Sequence, residues 1–533
     1  MMKKTYIKFL ALFITGAVMV SCESEFENSV EDGDIYTSGE ADFSNFVTVG
    51  NSLTAGYMDG ALYLQGQQNS YPNIMAGQMQ LMGGGQFIQP LVNDNAGGLL
   101  AAGTQIANNR LVLATDANGN PGPAIYTGMA PTTDITNKVT GPLNNYGVPG
   151  ARVFHLAAPG YGSLAGVAIG AANPYYTRFS SSETATVIGD AAAANATFFT
   201  LWIGNNDILG YATGGGVGVD NNVTGETNPA LQGNASITNS ALFNVVYRGL
   251  VSAMVANGAK GALVNIPDVT SIPYFTTVPF APLDPTNPGF GPLIPTLNAT
   301  YASLNQAFVF LGVPERSISF STTGASAVVI KDESLTNLSA QLTQVLIGGG
   351  FPAPTAALFG QQYGQARQAT AADLLVLPSS GIIGQPNAAR FAELRMAGVD
   401  EATAGQLSVN GVTYPLQDQW VLTPTEQSAV SSAQAAYNAT IEAAANENGL
   451  AYVDARTALA TVASGGVLFN GGQLTSTYAS GGAFSLDGVH PTGRGYAYTA
   501  NAIMQAINAT YGSTLPMVNI GQYPSVQPSD AVN

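Results

Sequence analysis

Cysteine is almost absent. Cys22 is the only one in 533 residues, which excludes a disulfide within the chain and any cluster of thiolate metal ligands. Histidine is nearly as scarce: with only His155 and His490, no set of imidazoles spaced for a metal site can be assembled. Charge is thin too, at 9% of residues against an average of about 25%. What charge there is leans acidic, with a net of −17. That balance argues against nucleic acid as a partner and against electrostatic capture by anionic lipid. Beyond the first two dozen residues, no apolar run is long enough to cross a bilayer.

Small neutral residues take the place of charge, 62 of them glycine, a composition suited to long uncharged loops. The length allows one large domain with insertions or two domains. At the N-terminus, Lys3 and Lys4 precede an apolar stretch from Ile7 to Val20, the layout of an export signal. Val18-Met19-Val20-Ser21-Cys22 resembles a bacterial lipobox, cut so that Cys22 leads the mature chain and carries lipid. This implies a signal peptide over 1–21, a lipid anchor at Cys22 and an acidic tether over 22–44. Glu23, Glu25 and Glu27 resemble the surface-export signals of Bacteroidetes lipoproteins, and no Asp directly follows the cysteine. The expectation is an outer-membrane lipoprotein exposed at the cell surface.

Four apolar runs read as buried strands: Phe46–Val49, Thr197–Ile203, Ala262–Ile266 and Ala451–Val453. Helices fall between them. Leu242, Val245, Val246, Leu250, Val251, Met254 and Val255 mark one apolar face, with Gly258 placed to end the helix. Thr423-Pro424 with Glu426 is a capping box opening a helix that Gly449 closes. Tyr496, Ala500, Ile503 and Ile507 mark a last helix. This alternation predicts an α/β fold with a mainly parallel sheet over 45–510. Residues 276–420 read as a large insertion with its own small structure. Within it, Ser317–Asp332 alternates like a strand or hairpin and Leu335–Leu346 reads as a helix. Residues 511–533 read as a tail laid on the surface.

Of the two histidines, His490 has the more telling setting. Asp487 precedes it by three residues, a spacing that lets a carboxylate hold one ring nitrogen while the other faces a substrate. Alone, Asp-x-x-His is equally a surface hydrogen bond. Ser52 follows the first strand, on the sheet edge where α/β folds build their sites. Alone, it is equally an N-cap serine. No Gly-x-Ser-x-Gly stretch occurs, so the usual nucleophile elbow is absent. A tight turn at Gly147-Val148-Pro149-Gly150-Ala151 offers a backbone amide, and Asn206 follows the second strand with a side-chain amide. The Ser52 N–H, the Gly150 N–H and the Asn206 side chain can together receive an oxyanion. His155 reads as a structural histidine near the rim, and Asp268 as a turn former after Pro267.

These stretches resemble, in order, the conserved blocks of the SGNH (GDSL-like) serine hydrolases: Gly50-Asn51-Ser52-Leu53, Gly147–Ala151, Gly204-Asn205-Asn206-Asp207 and Asp487-Gly488-Val489-His490-Pro491. Asn51 stands where the first block more often has Asp. The resemblance implies a three-layer flavodoxin-like fold, Ser52 as nucleophile, His490 as base and Asp487 as its orienting acid. It implies an oxyanion hole of Ser52, Gly150 and Asn206, and calls for no cofactor and no metal. The expected activity is hydrolysis of carboxylic esters, as an esterase or lipase. Tyr57, Met58, Leu62 and Tyr63 can either favour an apolar ester or simply pack the first helix. Removal of acetyl groups from polysaccharide is the alternative, which exposed aromatics on the loops would favour. A third reading makes the protein an accessory lipoprotein docking on an outer-membrane transporter.

Overall fold

Short β-branched and aromatic runs become strands here because both of their faces are covered. In a computed structural model, residues 36–116 and 119–532 are described; Cys22 and the expected signal and most of the tether lie outside them. Five strands form the central sheet: β1 (Phe46–Gly50), β2 (Asn145–Gly147), β3 (Phe198–Trp202), β4 (Lys260–Val264) and β5 (Ala451–Val453). All pairings are parallel, in the order β2-β1-β3-β4-β5. This is the flavodoxin-like order, whose ligand crevice lies outside the strand ends where the chain changes direction, between β1 and β3.

Helices cover both faces. They are α1 (Ser52–Ala55), α2 (Tyr71–Met79), α3 (Asn206–Thr213), α4 (Ser240–Val255), α5 (Pro424–Asn448), α6 (Ala455–Ser464) and α7 (Gly493–Tyr511). One layer contains α2 and α7, packed on each other; the other contains α4 and α5, with α3 against α5. The Glu426 carboxylate accepts the Thr423 N–H at 2.6 Å to open α5, and Gly449 closes it in the left-handed region. Tyr496, Ala500, Ile503 and Ile507 of α7 are fully buried.

Several local expectations shift. The buried face of α4 is Phe243, Tyr247, Leu250, Val251 and Met254, while Val245 is 69% exposed. The aromatic rings win that face because Phe243 and Tyr247 stack on each other and Phe243 on Tyr437 of α5. Residues 317–332 form no hairpin: only Val329–Lys331 is a strand, and it pairs with Ala366–Gln368 far along the chain. The following helix begins at Ser339 instead of Leu335, where the Asn337 side chain accepts the Ser339 N–H. The tail after Tyr511 lies along α7, with Leu515 and Ile520 buried and the Val518 carbonyl accepting from the Asn501 side chain.

A second hydrophobic cluster runs from Val278 to Val421, built around Tyr301, Phe308, Ile330, Leu342 and Tyr363. Trp420 packs against both this cluster and the main core. The insertion also reaches the Asp487–His490 loop. Its Leu377 side chain would stand 3.0 Å from a β-carbon at Gly488, and just ahead of the insertion the Tyr274 N–H donates to the Gly488 carbonyl at 3.0 Å. With φ at +71° and backbone this close, only glycine fits position 488 without strain.

Where the insertion meets α5, the carboxylates of Glu333, Asp418 and Glu426 converge within 4.8 Å, the one such trio among the described residues. Burial, then the neighbouring Glu333, pushes the Asp418 carboxyl far above the ordinary carboxylate range. A carboxyl raised on folding stabilises the fold fully below its unfolded pKa, and that contribution is lost as pH rises through the folded value. The thermal midpoint is therefore expected to fall between about pH 5 and 9. Asp418→Asn, neutral throughout, should flatten that dependence when both proteins are melted across the range.

Candidate active site

Ser52 is placed by the way β1 ends. Asn51 caps α1, its side-chain oxygen accepting the Leu53 N–H at 3.0 Å and its amide donating to Asn205 at 3.2 Å. Ser52 is then the first residue of the helix, and its hydroxyl is spared from capping. Gly147 permits β2 to approach: a β-carbon there would sit 2.3 Å from the Ala55 nitrogen.

The Ser52 hydroxyl meets His490 Nε2 at 2.9 Å, and His490 Nδ1 meets the Asp487 carboxylate at 2.8 Å. Residues 438 positions apart thus form one hydrogen-bonded relay at the carboxyl edge of the sheet. Both side chains of the Asp–His pair are nearly enclosed, at 13% and 15% exposed. Asp487 receives four further donors: the Val489 and His490 amides at 2.9 and 2.8 Å, the Gly60 amide at 2.9 Å and the Ser485 hydroxyl at 3.1 Å. Burial alone would push this carboxyl up. The charge and ring hydrogen bond of His490, with the backbone donors, outweigh it and hold the pKa at about 2. Asp487 therefore stays ionised, and an ionised partner keeps the proton on Nδ1 and leaves Nε2 free to accept.

The Asn206 side chain donates one amide hydrogen to the Ala151 carbonyl at 2.9 Å, which joins the glycine turn to the end of β3. The amide carries a second hydrogen, and no other described residue accepts it. Gly150, with φ of +80°, is exposed on that turn. It lines a shallow neighbouring depression shared with Asn206 rather than the cleft that holds Ser52. A buried ion pair fixes this junction. Asp207 accepts the Val153 N–H at 2.9 Å and the Thr238 hydroxyl at 2.6 Å, with the Arg152 guanidinium 3.8 Å away. Burial raises the Asp207 carboxyl to about 6 despite Arg152.

His155 stacks on Tyr161 at 4.6 Å, and its Nδ1 accepts the Arg152 N–H at 3.1 Å. Burial and the nearby Arg152 lower its pKa to about 4, so it is neutral and stands apart from the relay. Asp268 turns the chain, accepting the Thr270 N–H at 2.9 Å.

From Ser52 and His490 a cleft of about 110 Å³ runs inward between the ends of β4 and β5 and helices α6 and α7. Val264, Val453, Leu459, Val462, Leu474 and Ile503 line it. Polar side chains gather at the mouth, where Asn51, Asn205 and Asn206 stand beside Ser52. Met58, Leu62 and Tyr63 are buried in packing and do not line the cleft. Tyr57 covers His490, ring to ring at 4.7 Å.

The chain matches no family model, no curated protein and no solved structure. The geometry therefore stands on its own residues. Sequence reasoning did not single out Asp59, Gly60 or Ser485. The Ser485 hydroxyl accepts the Asp59 N–H at 2.8 Å, and the Asp59 carboxylate accepts the Leu486 N–H at 3.1 Å. Asp59 holds φ of +54°, unusual for a residue other than glycine, and so brings Gly60 within reach of Asp487.

Proposed function

We propose that this protein is a serine esterase of the SGNH type, hydrolysing carboxylic esters with a short apolar acyl group. The observation that carries the reading is the continuous relay from Ser52 through His490 to Asp487 at the mouth of an apolar cleft. His490 Nε2 takes the hydroxyl proton as Ser52 Oγ attacks the ester carbonyl. The carbonyl oxygen becomes an oxyanion that the Ser52 amide and the free Asn206 hydrogen receive, with the Gly150 amide from the adjoining turn. His490 returns its proton to the leaving alcohol as the bond to it breaks, and an acyl-Ser52 ester remains. Water, deprotonated by the same imidazole, releases the acid.

The cleft favours the apolar acyl group over a glycan. A cavity of about 150 Å³ admits a benzene ring, so about 110 Å³ suits an acyl chain of roughly four carbons. Sugar-binding surfaces present aromatic platforms, but among the described residues Tyr36 and Phe310 are the only exposed aromatics. A lipid on Cys22 would hold the enzyme at the outer membrane.

A serine-directed fluorophosphonate tests the reading. Wild type should gain one covalent adduct on the peptide bearing Ser52 and hydrolyse nitrophenyl butyrate; an unlabelled Ser52 in folded protein would sink the proposal. Asn206→Ala should lower kcat by about 10²–10³-fold with little change in KM, because its donor acts on the oxyanion and not on bound ester. A steady-state comparison on nitrophenyl butyrate checks this.

A further inference from the structure

The acyl cleft does not end in the core. Beyond its inner wall lies a second, open groove of about 760 Å³ beneath the hairpin formed by Val467–Phe469 and Gly472–Leu474. Val453, Ala458, Tyr498 and Ala502 line both spaces, so these residues are the partition between them. Three of the four are small, and Tyr498 is the only ring. Its hydroxyl donates to the Ala458 carbonyl of α6 at 3.2 Å, which holds the ring across the gap between α6 and α7. On the far side, Val467, Leu468, Phe469, Val518 and Ile520 supply apolar surface, and Leu468 is 81% exposed.

We propose that Tyr498 ends the acyl pocket and so sets the acyl chain length, and that the groove beyond it is a latent site for the distal part of a longer alkyl chain. The inference rests on the reading of Ser52 as an esterase nucleophile. An aromatic ring on a partition of small residues, tied to α6 through its hydroxyl, is the feature whose removal would join the two spaces. Neither Val453 nor the two alanines can close the opening that the ring now fills.

The test is a nitrophenyl ester series from acetate to hexadecanoate. Wild type should favour butyrate and fall off steeply at longer chains. Tyr498→Ala should raise the dodecanoate-to-butyrate ratio of kcat/KM by about tenfold or more, since single methylenes already change such ratios by that order. Tyr498→Phe keeps the ring and should keep the wild-type order of chain lengths. Tyr498→Leu, an intermediate opening, serves if the alanine variant does not fold.

A second arm separates this proposal from the esterase reading. Calorimetric binding of straight-chain carboxylic acids to Ser52→Ala and to Ser52→Ala/Tyr498→Ala requires no turnover. A shift of the tightest-bound acid to longer chains in the double variant supports the partition even if no ester is hydrolysed, in which case only the esterase reading falls. Identical profiles with and without the Tyr498 ring, in folded protein, would overturn the proposal.

Discussion

Ser52→Ala is expected to lower kcat for ester hydrolysis on the order of 10⁴–10⁶-fold, the range seen when a serine nucleophile is removed from a working triad. The fold should scarcely notice. Among the described residues the only side-chain partner of the Ser52 hydroxyl is His490 Nε2, and a neutral hydrogen bond of this kind contributes about 1 kcal/mol. Asn51 keeps its cap on α1 whatever stands at 52, because its own side chain makes that bond. Activity and stability should therefore separate: turnover falls to background while the thermal midpoint stays within a few degrees. Both are read from one preparation, by stopped assay and by melting. Turnover retained above about a hundredth of wild type would place the nucleophile elsewhere.

The parts of the site that were legible in the sequence are those set by local chemistry. A strand that stops at Gly50 puts Ser52 on the sheet edge, and the three-residue step from Asp487 to His490 suffices for the ring to reach the carboxylate. The capping box at Thr423 and Glu426 is local in the same way. Strand β2 was not legible, because three residues, Asn145–Gly147, are too few to show any periodicity. Its existence depends on pairing with Thr48 to Gly50 a hundred residues earlier.

The support around Asp487 was hidden for a related reason. Gly60 and Ser485 reach the two oxygens of one carboxylate from segments more than 400 residues apart. The cleft beside Ser52 was hidden too, since its wall is assembled from ordinary core residues of separate elements, one each from β4 and β5, four from α6 and five from α7. Nothing in Val264 or Leu459 alone distinguishes a pocket wall from a core. Tyr57, Met58, Leu62 and Tyr63, close after the serine in sequence, were compatible with either a pocket wall or packing. In the fold the short helix α1 turns away after Gly56, and three of them go into packing.

Asp487→Asn is the other change expected to have a very large effect, about 10⁴-fold in kcat, for a reason written in its five donors. One carboxylate oxygen accepts from the Val489 and His490 amides and the Ser485 hydroxyl; the other accepts from the Gly60 amide and His490 Nδ1. An asparagine has one acceptor oxygen, so its NH₂ must face one of these two groups of donors. The oxygen holds the larger group if it stays with the three. The NH₂ then opposes the Gly60 N–H and can bond His490 only if Nδ1 gives up its proton. That tautomer puts hydrogen on Nε2, pointing at Ser52, and the imidazole can no longer accept the serine proton. Substrate binding in the apolar cleft is untouched, so KM should change little while kcat collapses. The same substitution removes an acid-sensitive contribution to stability. Because folding depresses the Asp487 carboxyl to about 2, its stabilisation is complete above the ordinary carboxylate pKa and is lost as pH falls towards that value. Urea unfolding at neutral pH and at about pH 3 should show wild type losing more stability on acidification than the asparagine variant. A wild-type and a variant that lose the same amount, or a variant with near-normal kcat, would mean that Asp487 does not hold the imidazole.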